Sequence, residues 1–271
     1  MKIYKAFLHT IFLVGIQILI GIAIVLIFQL IDKNNKNYYE HALGLFRTFA
    51  QLSGFLIFSY YFWKPWNNWI NKSDLKIDNF KIISLLFIIG IGLEFIKSPF
   101  ADFNNISKYI NQSDLIYNSH NFEGFDKNLI YRVVGVIIIA PIIEELFFRK
   151  YLINRLLKEN SKIVTLITSS ICFSLIHFET PNNLIPAFLF GLASGLIFIK
   201  TNKIGYSILL HLIGNSLWLI DVLSGDEFYN YLFELEFNST YWMIFSLGII
   251  MTYFGLKRIT TANTKYRSLG R

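Results

Sequence analysis

Long apolar runs alternate along the whole chain with short polar segments, many of them basic. Ala6 to Ile31 carries no formal charge, Ala42 to Trp63 is interrupted by Arg47, and Ile82 to Ile96 by Glu94. Val133 to Ile143 leads into Glu144 and Glu145. Ile163 to His177, Leu184 to Ile199, Ile204 to Ile220 and Tyr241 to Leu256 complete eight such groups. A helix rises about 1.5 Å per residue, so crossing a bilayer core takes about 20 residues. Several runs fall short alone and need helical flanks. The pattern predicts an all-α fold, a polytopic membrane bundle of about eight transmembrane helices.

Composition supports that reading. Of 271 residues, 54% are hydrophobic and only 16% charged, where soluble domains carry roughly a quarter charged residues. Such hydrophobicity excludes intrinsic disorder, and a lone cysteine, Cys172, excludes a disulfide scaffold. The net charge of +7 does not mark a nucleic-acid binder, because the basic residues sit in clusters between apolar runs. The first run follows Lys2 and Lys5 as a secretion signal would. It is longer than an h-region of roughly 7 to 15 residues, and no small-residue cleavage site closes it, so it reads as a retained helix.

With the N-terminus in the cytoplasm, eighteen of the 25 lysines and arginines become cytoplasmic. They lie at Lys2 and Lys5, from Lys64 to Lys81, from Arg149 to Lys162, at Lys200 and Lys203, and from Lys257 to Arg271. This matches the positive-inside bias and leaves both termini inside a cell membrane. The polar segment from Lys97 to Arg132 falls outside, with room for a short surface helix. Three regions follow: 1–130 with the first helices and this outer loop, 131–223 as a central helical core, and 224–271 with an acidic loop, a last helix and a basic tail. Gly191 and Gly195 form a small-xxx-small pair suited to close helix packing.

Ionisable residues at membrane depth are costly and draw attention to function. Glu144 and Glu145 follow an apolar run, with Arg149 four residues beyond Glu145. At about 100° per residue Glu145 and Arg149 share a helical face, while Glu144 points about 140° away from Arg149. That division predicts a structural pair, Glu145 with Arg149, and a separate base, Glu144. Phe173 and His177, and then His211 and Asn215, are each spaced four apart, so each pair falls on one face of a helix. A hairpin turning near Asn160 would set Glu144 and His177 at matching depth, each about 25 Å from the turn.

A carboxylate and an imidazole beside one water can take its proton. A second imidazole and a carboxamide can donate to the oxyanion that forms. Those roles fit peptide hydrolysis. Glu144, His177 and His211 also make the donor set of a His2Glu zinc site, although no His-Glu-x-x-His motif is present. A water-and-glutamate mechanism needs no metal and is the favoured reading, so no cofactor is firmly implied. Cys172, five residues before His177 and on another face, is a poor nucleophile candidate.

The three motifs, Glu144-Glu145-Leu-Phe-Phe-Arg149, Phe173-Ser-Leu-Ile-His177 and His211-Leu-Ile-Gly-Asn215, resemble those of the CAAX protease and bacteriocin-processing family, also called Abi. They span about a third of the chain, from Val134 to Ile220. The resemblance implies an eight-helix intramembrane endopeptidase with a cytoplasm-facing cavity. It assigns water activation to Glu144 with His177 and oxyanion stabilisation to His211 and Asn215, supported by Glu145, Arg149 and Phe173. The implied partner is a membrane-associated peptide or protein within the lipid bilayer, not nucleic acid, and richness in Ile, Lys, Asn and Phe points to a bacterium. A non-catalytic immunity or scaffold protein of the same family is the alternative. A proton-coupled transporter fits less well, since no internal repeat is visible.

Overall fold

The computed structural model describes residues 1–31, 36–63, 71–77, 80–116 and 133–268, and among these every regular element is helical. In chain order they are α1 (Ile3–Ile31), α2 (Lys36–Phe62), α3 (Lys72–Leu75), α4 (Phe80–Ala101) and α5 (Phe103–Ile110). Then come α6 (133–156), α7 (Lys162–Leu175), a 3-10 turn (Pro181–Asn183), α8 (Leu184–Thr201), α9 (Ile204–Leu223), α10 (Glu227–Glu234) and α11 (Ser239–Ser268). Each apolar group lies on one of these helices. The described part of the polar segment after Lys97 contains α5, while Lys127 and Arg132 lie outside the described residues, as do Lys33, Lys64 and Arg271.

Four of the described helices are long and apolar enough to cross a membrane: Ile3–Leu30, Pro181–Thr201, Ile204–Leu223 and Ser239–Thr261. Their outward faces carry apolar side chains that water would not tolerate in bulk. Leu19 and Leu30 on α1 are 68% and 77% exposed, and Met243 on α11 is 70% exposed. Residues of this kind around a long helix face lipid. The protein is a helical membrane protein. By contrast α7 has 14 residues, a rise of only about 21 Å, so the apolar run that produced it does not by itself make a full span.

Contacts divide the chain into two compact units, 1–72 with 123–172, and 73–122 with 173–271. In the first, α1 lies along α2, and α2 packs on α6. Its centre is aromatic. Phe58 of α2 meets Phe147 and Tyr151 of α6 edge-on at 5.0 and 5.2 Å between ring centroids. The Tyr151 hydroxyl reaches Nδ1 of His9 on α1 at 2.7 Å, giving the phenol a partner for its polar end where the ring is buried.

In the second unit α4 runs antiparallel to α11, with Gly248 against Gly92 and Gly255 against Ile89. Lipid gives helices no hydrophobic reason to associate, so close van der Waals approach must supply the attraction. A Cβ on Gly248 would stand 2.7 Å from the Gly92 carbonyl, and one on Gly92 would stand 2.8 Å from the Gly248 carbonyl. Only paired glycines allow that crossing. Leu86 and Ile89 of α4 join Tyr206, Leu210 and Ile213 in a core that α8 completes through Ala193 and Ile197 and α11 through Ile259. A two-residue connection joins α8 to α9: Asn202, at φ 56°, ends α8 in the left-handed region, and its N–H donates to the Phe198 carbonyl. Asparagine tolerates that conformation better than most residues.

Candidate active site

The carboxylate motif sits on α6, which is not a uniform α-helix. Its turns are π-wound over Val133–Ile139 and Leu146–Ile153, with α-helical Ala140–Glu145 between them. The first wide stretch is a run of β-branched residues containing Gly135 and ending before Pro141. β-Branched side chains crowd an α-helix, and proline removes a backbone donor, so a locally widened turn is the expected relief. The second wide stretch holds the motif's own Arg149. There the Phe148 carbonyl accepts a hydrogen bond from Ser169 Oγ on α7 at 3.0 Å, in a fully buried position. Sequence reasoning missed this tie, because a serine in an apolar run carries no mark of what it bonds.

Arg149 Nε donates to Glu145 Oε2 at 3.0 Å, and both side chains are wholly buried. The wide winding changes the second relationship. In a π-turn the hydrogen-bonded repeat is i to i+5, which draws residues five apart toward one side. Glu144 is five before Arg149, and its carboxylate acts electrostatically on the Arg149 guanidinium alongside that of Glu145. Both carboxylates of the motif thus bear on one guanidinium. Glu144 itself is half-buried.

The histidine motifs belong to the second unit, whose boundary falls inside α7 between Cys172 and Phe173. Helix α7 ends at Leu175, so His177 lies beyond it in a tight turn, its N–H bonded to the Ser174 carbonyl at 3.0 Å. This corrects the expectation that His177 is helical, although its ring still meets that of Phe173. The cause is local: Glu179, Thr180, Pro181, Asn182 and Asn183 favour turns, and proline keeps the preceding residue out of the helical region. Thr180 accordingly sits at φ −124°, ψ 84°. The fixing of the imidazole is informative. His177 Nδ1 lies 3.0 Å from the Phe173 carbonyl, which can only accept. Nδ1 therefore carries the proton, and Nε2 is left as an acceptor.

Phe173 packs between the two histidines, 5.0 Å from the His177 ring and 5.7 Å from the His211 ring. Phe190 of α8 lies 4.7 Å from His211 on another side and 5.6 Å from Phe173. His211 is 5% exposed within this aromatic setting, while His177 and Asn215 are half-buried. Asn215 follows His211 by one helical repeat on α9, so the two share a face. Phe190 had no signal in the sequence, being one apolar residue among many. The second unit thus joins Phe173 to both histidines, and the first joins Glu145 to Arg149.

A zinc ion would need three donors. Within each unit, no group of three His, Cys, Asp or Glu side chains stands together among the described residues. The donor set inside either unit does not fit the ion, and no step below runs through one.

No curated protein and no solved structure matches the chain. Residues 126–217 match the family described as Type II CAAX prenyl endopeptidase Rce1-like. That stretch holds Glu144, Glu145, Arg149, Phe173, His177, His211 and Asn215. The match covers about a third of the chain's length and falls on the same three motifs that resemble the CAAX protease and bacteriocin-processing family.

Proposed function

We propose that the protein is an intramembrane endopeptidase that hydrolyses a membrane-associated peptide or protein. The observation that carries this reading is the single Rce1-like stretch that contains Glu144, His177, His211 and Asn215 on and beside apolar helices. The proposed reaction calls for one carboxylate, two imidazoles and one water. Glu144 and Nε2 of His177 take the water's proton as its oxygen attacks the scissile carbonyl, and they return that proton to the amide nitrogen as the C–N bond breaks. His211 and Asn215 donate to the oxyanion, held in place by Phe173 and Phe190. Glu145 spends its charge on Arg149 and so keeps this part of α6 folded. The apolar groups form eight spans in a bacterial cell membrane, with both termini and the cavity mouth on the cytoplasmic side.

The test compares cells producing the wild-type chain with cells producing Glu144→Gln. Mass spectrometry of their membrane peptides should find new termini with wild type alone. Identical peptide sets would overturn the hydrolase reading. Immunity retained by Glu144→Gln in a bacteriocin challenge would favour the non-catalytic alternative.

A further inference from the structure

The second unit carries a buried acid far along the sequence from the residues just discussed. Asp102, between α4 and α5, is 5% exposed, and its Oδ1 accepts from the Tyr229 hydroxyl of α10 at 3.0 Å. Helix α10 is eight residues long, too short to stand alone. Phe228 stacks on Phe95 of α4 at 5.5 Å, and the Phe228 N–H donates to Asp221 Oδ1 at 3.0 Å. Leu232, Phe237 and Tyr241 make a small apolar cluster with Ile106 of α5 and Leu115. Asn105 closes the neighbouring loop, exchanging hydrogen bonds with both backbone groups of Ile116 at 2.8 and 3.0 Å.

We propose that α10 is a cap whose docking tightens in acid, with Asp102 as the titrating group. The ionisable side chains facing Asp102 are phenols, Tyr229 from α10 and Tyr241 from α11. On α4 the nearest charged pair, Glu94 with Lys97 at 3.1 Å, is closed on itself. No lysine or arginine among the described residues offsets a charge on Asp102. Burial therefore pushes its carboxyl above the ordinary 3.8, and the Tyr229 hydrogen bond opposes that only in part. Undocking α10 exposes the group and returns it to the ordinary value. The docked state holds a proton that the undocked state has lost, so docking is strongest at low pH. It weakens as pH rises from the ordinary carboxylate range through the raised value.

The test is backbone amide exchange of the full chain in detergent at about pH 4 to 7, corrected for intrinsic rates. Peptides covering residues 227–235 report the cap, and peptides covering residues 206–213 report the core. Cap protection in the wild type should fall severalfold as pH rises, up to about tenfold per unit by which the carboxyl is raised, with the core flat. Asp102→Asn should abolish the slope. Tyr229→Phe, which keeps the acid and removes the bond that lowers it, should keep the slope and move it to higher pH. A flat wild-type profile, or a slope that survives in Asp102→Asn, would overturn the proposal. So would a Tyr229→Phe profile that is flat or shifted to lower pH.

Discussion

Arg149 and Glu145 form an ion pair, 3.0 Å from Nε to Oε2, with neither side chain reaching solvent. Two opposite charges in such a place depend on one another. Glu145→Gln or Arg149→Met alone strands the partner, a loss of about 3–5 kcal/mol. Replacing both with apolar residues of similar size should cost much less. Denaturant unfolding of the four proteins in mixed micelles measures the difference, and equal losses in single and double variants would refute the coupling.

Ser169 holds the carbonyl of Phe148 inside the widened part of α6. Ser169→Ala should destabilise the chain by about 1 kcal/mol, the worth of one such bond. Ser169→Thr retains the hydroxyl and should recover most of it. Comparing their unfolding midpoints checks this.

The glycine crossing between α4 and α11 leaves no room for a side chain. Gly248→Leu must force the helices apart at the Gly92 carbonyl and Phe95. A cost of about 1–3 kcal/mol or more is expected. Gly214→Ala serves as a control, because a Cβ there meets only a Phe190 ring carbon at 3.9 Å. A thermal shift confined to Gly248→Leu is the expected result.

Phe173 orients two imidazoles at once. Phe173→Leu should lower kcat by about tenfold or more while changing KM little, as misplaced catalytic groups do. Once a cleaved peptide is identified, the same assay with a chelator should proceed at the wild-type rate. Inhibition by chelator that added zinc reverses would overturn the metal-free mechanism.

Much of the helical architecture was legible because lipid imposes a blunt rule, long apolar runs bounded by charge. Each such run lies on a helix, and the spacing of Glu145 and Arg149 was enough to foresee a pair. The rest depended on features that composition hides. Constant 100° steps do not describe α6, whose winding widens on either side of Ala140–Glu145. Attention to Gly191 and Gly195 overlooked Gly92 and Gly248, whose importance arises from two helices far apart in sequence. His177 looked helical because it closes the largely apolar run that begins at Ile163. The turn formers after it decide otherwise.

His177 stands in a short turn just past the end of α7, tied back to Phe173 and Ser174 of that helix. Insertions or deletions between Phe178 and Thr180 would bear on the imidazole without entering the Pro181–Thr201 span. Evolution therefore has a cheap dial for adjusting this side chain, much as loop grafting retunes enzymes built on rigid barrels. Laboratory diversification of that stretch is the economical route to altered chemistry on an unaltered scaffold.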